Sequence, residues 1–118
     1  MEKKTTFFGF ALADSMFASE GLIERRVLSL TVVHEKVKAG VTSCCNPSHV
    51  ATIEAMRLRF GLEVSIPEHP PRVVLEKGDS VIVMGVRGLP RLTDRHEYTT
   101  EEVAKATFVF TEYTILGD

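Results

Sequence analysis

Apolar residues occupy both faces of the stretch 6–13, Thr-Phe-Phe-Gly-Phe-Ala-Leu-Ala, which predicts a buried strand in which Gly9 marks a bulge or a close backbone approach. In residues 22–30, Ile23, Val27 and Leu28 surround Glu24-Arg25-Arg26, the pattern of a partly exposed strand. Thr31 is then placed to cap a short helix over 32–39, closed by Gly40. The clearest local signal is Asn46-Pro47 ahead of an apolar-periodic run that stops at Gly61. Asparagine as N-cap, proline at the first helical position and glycine just past the end together predict a helix over 47–60. Its buried face is expected from Val50, Ile53 and Leu58, with Ala51, Ala55 and Met56 beside them, leaving Glu54, Arg57 and Arg59 solvated.

Beyond Gly61 the alternation of Leu62, Val64 and Ile66, ended by Pro67 and Pro70-Pro71, predicts a short edge strand and a rigid loop. Two β-branched runs, 72–76 and 80–87, flank Lys77-Gly78-Asp79 and predict a hairpin. Residues 88–98 read as a long loop rich in ionisable groups, and Thr99 with Glu102 makes a capping box for a helical turn over 101–105. Residues 107–116 close the chain as an interior strand, with Phe108 and Phe110 on one face and Val109, Tyr113 and Ile115 on the other after an irregularity. The order predicts a single α+β domain, 1–118, with a mixed or antiparallel sheet of about five strands flanked by helices. No glycine-rich fingerprint joins a strand to a helix, which argues against a dinucleotide fold or a phosphate loop.

With 118 residues, 44% of them hydrophobic, the chain is large enough to bury a core without disulfides or a structural metal. Its two cysteines, Cys44 and Cys45, are adjacent, a poor geometry for bridging each other and no zinc spacing. No apolar run approaches the roughly 20 residues that span a bilayer, and the N-terminal residues show no signal-peptide pattern, so no membrane partner and a cytoplasmic location are expected. A formal net charge of −2 argues against binding a long nucleic acid, whereas a small anionic ligand needs only a local cluster.

Two segments offer such a cluster. At the start of the long helix, Cys44-Cys45-Asn46-Pro47-Ser48-His49, free backbone N–H groups and the positive end of the helix dipole attract phosphate. Asn46 and Ser48 are candidate ligand contacts there, and His49 is a candidate general acid. The plainer reading makes His49 a helix-start residue with no ligand. The second segment, residues 87–97, gathers Arg87, Arg91, Arg95, His96, Asp94 and Glu97, and arginine forks suit bidentate phosphate contacts. Its plainer reading is a salt-linked, solvated loop. Asp14, Ser15 and Ser19 are expected as turn residues, His34 and His69 as structural or exposed, and the two cysteines as packing residues rather than reactive thiols. No metal site and no cofactor are expected.

The same segments carry a resemblance. Thr42-Ser43 before the helix, His49 followed by Thr52 and Gly61, then Arg72, Gly78-Asp79, residues 87–90 and Thr99-Thr100-Glu101-Glu102 before a final apolar strand resemble the viral anti-CRISPR ring nucleases, first described as a domain of unknown function in archaeal viruses. The likeness runs from about Leu22 to the end. It implies a homodimer whose helix starts face each other across a pocket for cyclic oligoadenylate, the second messenger of type III CRISPR systems, with cyclic tetra-adenylate the expected ring. It further implies metal-independent cleavage by attack of a ribose 2′-hydroxyl on the adjacent phosphate, His49 as general acid and Arg87 as the phosphate-contacting arginine. The approach to His49 is about two residues longer than in the family. The family's acidic position falls near Arg91, which leaves Glu97 or Asp94 to take that role. Polar residues usual after the first strand are replaced by Phe10 and Ala13.

Three functions are therefore in play. The first is a ring nuclease, the second a non-catalytic sponge for a cyclic nucleotide signal, and the third a protein-interaction domain whose arginine loop meets an acidic surface.

Overall fold

The computed structural model of the chain describes residues 5–10, 12, 14–17, 21–45, 50–69, 73–88 and 98–117. Strand β1 (Thr6–Gly9) is followed by a 3-10 turn (Asp14–Met16), β2 (Leu22–Leu28), α1 (Leu30–Ala39) and β3 (Thr42–Ser43). Then come α2 (Val50–Phe60), β4 (Ser80–Arg87), α3 (Thr100–Lys105) and β5 (Thr107–Gly117). The five strands form one mixed sheet in the order β2-β5-β4-β1-β3. β1 runs parallel to both β3 and β4, while β5 lies antiparallel between β4 and β2. The expected α+β class and five-stranded sheet are thus observed.

The sheet is covered on both faces, and alternate residues of its strands serve two cores. Phe8, Ile82, Met84 and Phe110 face the first, beneath Val33 of α1 and Ile53 and Met56 of α2. Val81 and Leu75 anchor the second, with Phe7, Val83, Tyr113 and Ile115 packed around them. Phe60 at the end of α2 meets the rings of Phe108 at 5.2 Å and Phe110 at 6.0 Å, both edge-on. These contacts explain why β1 and β4 are apolar on both sides, as a strand buried between two layers must be.

Several boundaries differ from the sequence reading. Helix α1 begins at Leu30 because Ser29, not Thr31, is the N-cap: its hydroxyl accepts from the Val32 amide at 3.3 Å. Gly40 closes it as expected, with φ 116° and its N–H on the carbonyls of Lys36 and Val37. On α2, Val50 and Leu58 are exposed, not buried, because the stripe Ile53-Met56-Phe60 is the one that faces the sheet. The helix ends where expected, Gly61 taking φ 71° and donating to Arg57 O at 2.8 Å. Its first predicted turn, residues 47–49, lies outside the described residues.

Residues 62–66 alternate as expected, with Leu62 and Val64 buried, but they form no strand. The predicted hairpin is half right. The turn at Lys77-Gly78 exists, closed by Asp79 N–H on Glu76 O at 2.9 Å, yet residues 73–76 do not join the sheet because both edges of β4 are taken by β1 and β5. The Thr99–Glu102 capping box is present in full. β5 is interior as expected, and its irregularity sits at its end, where the register against β2 skips Leu116.

Among the described residues, one charged side chain is buried in the sheet. Glu112 on β5, 7% exposed, accepts from Lys36 Nζ of α1 at 2.9 Å and from Ser80 Oγ of β4 at 3.0 Å. Thr6 Oγ1 of β1 lies 3.5 Å from Ser80 Oγ, so a polar line crosses three strands and ties them to α1. Removing one partner of such a pair leaves an uncompensated charge in a low dielectric, whereas replacing both is far less costly. K36M should therefore lower unfolding stability by about 3 kcal/mol, and K36M/E112Q should recover most of that loss. Urea denaturation of the two variants beside the wild type checks both expectations.

Candidate functional site

Because β3, β1 and β4 are parallel, their C-terminal ends lie along one edge of the sheet, and ligands of open parallel sheets commonly bind outside that edge. β1 ends at Gly9, beside Val83. β4 continues four residues further to Arg87, which is exposed and pairs with Thr107 of β5. β3 leads through Cys44 and Cys45 toward the first candidate segment of the sequence, and β4 leads through Gly88 toward the second. Two strand spacings, about 9–10 Å, separate β3 from β4 sideways across β1, and Arg87 stands four residues, about 13 Å, further along the strand direction than Gly9.

Both exits are built from specific backbone chemistry. The carbonyl of Phe8 accepts from the Cys44 amide at 2.9 Å, and the thiols of Cys44 and Cys45 also point at it, at 3.3 and 3.6 Å. Gly9 is tight against this pair: a Cβ there would sit 2.7 Å from Cys44 Sγ, which realises the close approach expected of it. Gly88 takes φ 89°, and a Cβ on it would face the carbonyl of Lys105 at 3.7 Å, so the end of β4 turns against the end of α3. Arg59 of α2 closes the same corner, donating to the carbonyls of Val103 and Ala106 while its guanidinium lies over the rings of Phe60 and Phe108. Arg59 is exposed, as expected, and the carbonyls at the C-terminus of α3 give its guanidinium partners as well.

Burial pushes the thiols of Cys44 and Cys45 above their usual range, and the neighbouring Cys45 raises Cys44 further, while the Ser43 hydroxyl opposes the shift of Cys45. Both therefore stay protonated at neutral pH, in line with packing residues rather than thiolate nucleophiles.

Of the residues singled out for the site, Arg87 lies within the described structure. Asn46, Ser48 and His49, and Arg91, Asp94, Arg95, His96 and Glu97, lie outside the described residues. His34 and His69 are exposed. Among the described residues no cluster of three or more His, Cys, Asp or Glu is arranged to hold a metal, and no helix is long and apolar enough to cross a membrane. An open groove of about 500 Å³ runs between α2 and residues 62–66, floored by Ile53, Leu62, Val64 and Ile66. Glu54 and Arg57 on its rim form a bidentate pair, and the Arg57 hydrogen bonds hold the Glu54 carboxyl below the usual carboxylate range.

No protein-family model and no curated protein matches the chain. Among solved structures it is similar to B116 of Sulfolobus turreted icosahedral virus (STIV), with a TM-score of 0.68 and 16% sequence identity, over 93% of this chain and 98% of that one. The likeness shows that a viral protein shares this fold from end to end.

Two outcomes follow from the Phe8 platform. G9A should destabilise the fold by about 1–3 kcal/mol through overpacking, and adding C44A should return most of it, as read by thermal or urea unfolding. Because the folded thiols keep their protons to higher pH than unfolded ones, their share of stability is complete below about pH 8 and is lost as pH rises above the ordinary thiol value of about 8.5. Stability measured from pH 7 to 10 should fall for the wild type and fall less for C44A/C45A.

Proposed function

We propose that the chain is a metal-independent ring nuclease for cyclic oligoadenylate, with cyclic tetra-adenylate as the favoured ring, acting as a homodimer. The observation that carries the reading is the shared C-terminal edge of β3, β1 and β4, from which the chain leads to His49 on one side and to the arginine-rich segment on the other. The fold shared with a viral protein supports a setting in which host defence is the target.

In this reading Arg87, Arg91, Arg95 and His96 hold phosphate oxygens, and Asn46 and Ser48 add contacts at the helix start. A ribose 2′-oxygen attacks its own 3′-phosphorus and the P–O5′ bond breaks. His49, entering as imidazolium, gives its proton to the departing 5′-oxygen, while Glu97 takes the proton of the 2′-hydroxyl. The products are a linear oligoadenylate with a 2′,3′-cyclic phosphate at one end and a 5′-hydroxyl at the other, so atoms and charge balance without a cofactor. Arg91 stands near the position where the related enzymes carry an acidic residue, and that one feature favours the second reading, a sponge that holds the ring intact.

Incubation with cyclic tri-, tetra- and hexa-adenylate in EDTA, followed by chromatography before and after denaturation, tests both. Linear products identify the nuclease, and H49A should then lose at least about a hundredfold in turnover with binding largely kept. R87A should weaken ring binding by roughly tenfold. An intact ring released only on denaturation identifies the sponge. Neither cleavage nor retention of any ring overturns the proposal, and turnover that survives H49A removes His49 from the acid's role.

A further inference from the structure

Strand β4 ends at Arg87, and the rung Arg87–Thr107 is the last that joins it to β5. Arg87 is exposed, and the next residue, Gly88, leaves the strand with φ 89°. Terminal rungs of a ladder fray, because nothing beyond them holds the pair closed. A side chain carried on a fraying end meets a ligand only after it has been ordered, and that ordering weakens binding. This terminal rung is held from outside the sheet.

The group that holds it is Arg59, in the last turn of α2. Its Nη1 donates to the carbonyl of Val103 at 3.0 Å and to that of Ala106, the residue that immediately precedes Thr107. Val103 and Ala106 are buried at the C-terminal end of α3, where carbonyls have no partner from a further helical turn. The same guanidinium lies 5.2 Å from the ring centroid of Phe60 and 5.6 Å from that of Phe108, whose rung partner on β4 is Val86. One side chain therefore grips β5 on both sides of Thr107, at Ala106 and at Phe108, and ties it to α2. Gly88 sits in the same corner, since a Cβ on it would lie 3.6 Å from the Cα of Ala106.

We infer that Arg59 is a positioning residue for Arg87: by gripping Ala106 and Phe108 it keeps the last rung between β4 and β5 closed, so that Arg87 is set for a phosphate before one arrives. The inference rests on the reading of Arg87 as a phosphate contact given under the proposed function. Alternation along β4 puts Val86 on the face of Phe108, the face that α2 covers, and Arg87 on the other. The two arginines thus stand on opposite faces at the tip of the sheet, and Arg59 acts on Arg87 through the backbone rather than beside it on one ligand.

The residue type suits the task. A guanidinium is planar, so it can lie over two rings while its N–H groups fork to two carbonyls, whereas a lysine offers a point charge that reaches the carbonyls without covering the rings. An arginine that served α3 alone would lower stability when removed and leave the affinity of the folded chain for its ligand unchanged. A positioning arginine alters that affinity, and only for as long as Arg87 is present to be positioned.

Two measurements on the full chain test this, with R59M, R59K, R87A and R59M/R87A beside the wild type. R59M keeps an apolar stem against the rings and removes the donors. Amide hydrogen exchange should quicken by roughly tenfold or more in R59M over residues 86–88 and 106–108, and stay as in the wild type around Ile82. The dissociation constant for cyclic tetra-adenylate should rise by roughly threefold or more in R59M, with R59K between R59M and the wild type. R59M/R87A should bind within about twofold of R87A alone. Circular dichroism confirms that the variants fold, and R59K carries both measurements should R59M not fold. Exchange in R59M equal to that of the wild type overturns the inference, as does an unchanged affinity. A loss that adds in full to that of R87A also overturns it, since Arg59 would then act independently of Arg87. A wild type that retains no ring overturns instead the reading of Arg87 as a phosphate contact, and exchange at the terminal rung still decides whether Arg59 holds it closed.

Discussion

The constraint on which the structure depends is that β1, a strand of four residues, has a parallel partner on each edge. Parallel strands cannot be joined by a tight turn, so the chain must leave the sheet and return over its faces between them. Helices α1 and α2 make those returns, and their packing on the sheet makes the first core. The second core follows from the same demand, since residues 73–75 must cross the other face to deliver the chain to β4. Phe7 and Phe8, adjacent and pointing to opposite cores, are the local expression of that arrangement. Gly9, where any side chain would collide with Cys44, is the cost of bringing β3 so close.

Glu112 holds the antiparallel half of the sheet to this parallel half. Its carboxylate sits on β5, its hydroxyl partner on β4 and its ammonium partner on α1, so one buried group fixes how α1 crosses the sheet. Apolar packing alone permits small slides of a helix over a sheet. A buried charge with one geometrically suitable ammonium does not, because a displaced Lys36 would leave the carboxylate dry with Ser80 as its single partner.

The signals that were legible in the sequence are those set by local backbone chemistry. Gly40 and Gly61 end helices with positive φ, and Thr99 with Glu102 starts one through reciprocal bonds that need no tertiary context. What the sequence hid is pairing. Residues 62–66 and 73–76 alternate like strands because one face of each is buried, but alternation reports burial and says nothing of a free edge to bond to. The apolar periodicity of α2 is wider than the stripe the sheet can cover, so Val50 and Leu58 stay in water. Glu112 carries no local mark of burial, since its partners are 76 and 32 positions away. For the site, the alignment of β3 and β4 beside β1 was beyond reach for the same reason. Arg87 could be picked out by residue type, yet its place at the tip of β4, four residues above the end of β1, is a property of the sheet.

That placement bears on what the edge can do. A phosphate is gripped well when the groups around it are set before it arrives, because ordering them afterwards consumes binding energy. At the end of β3 the chain is tied to the Phe8 carbonyl by an amide and two thiols before it leads on to residues 46–49. At the end of β4 it turns at Gly88 against the C-terminus of α3, where Arg59 bonds the carbonyls of Val103 and Ala106. Both departures are therefore fixed to the framework, and the distance between them is set by strand spacing together with the four residues by which β4 outruns β1. Under the proposed function, specificity rests on the composition of the two segments that begin there, while the sheet supplies their separation. On the proposed reading, a chain with a slight net negative charge would in this way present a local cationic cluster to a small anion, which needs no basic surface elsewhere.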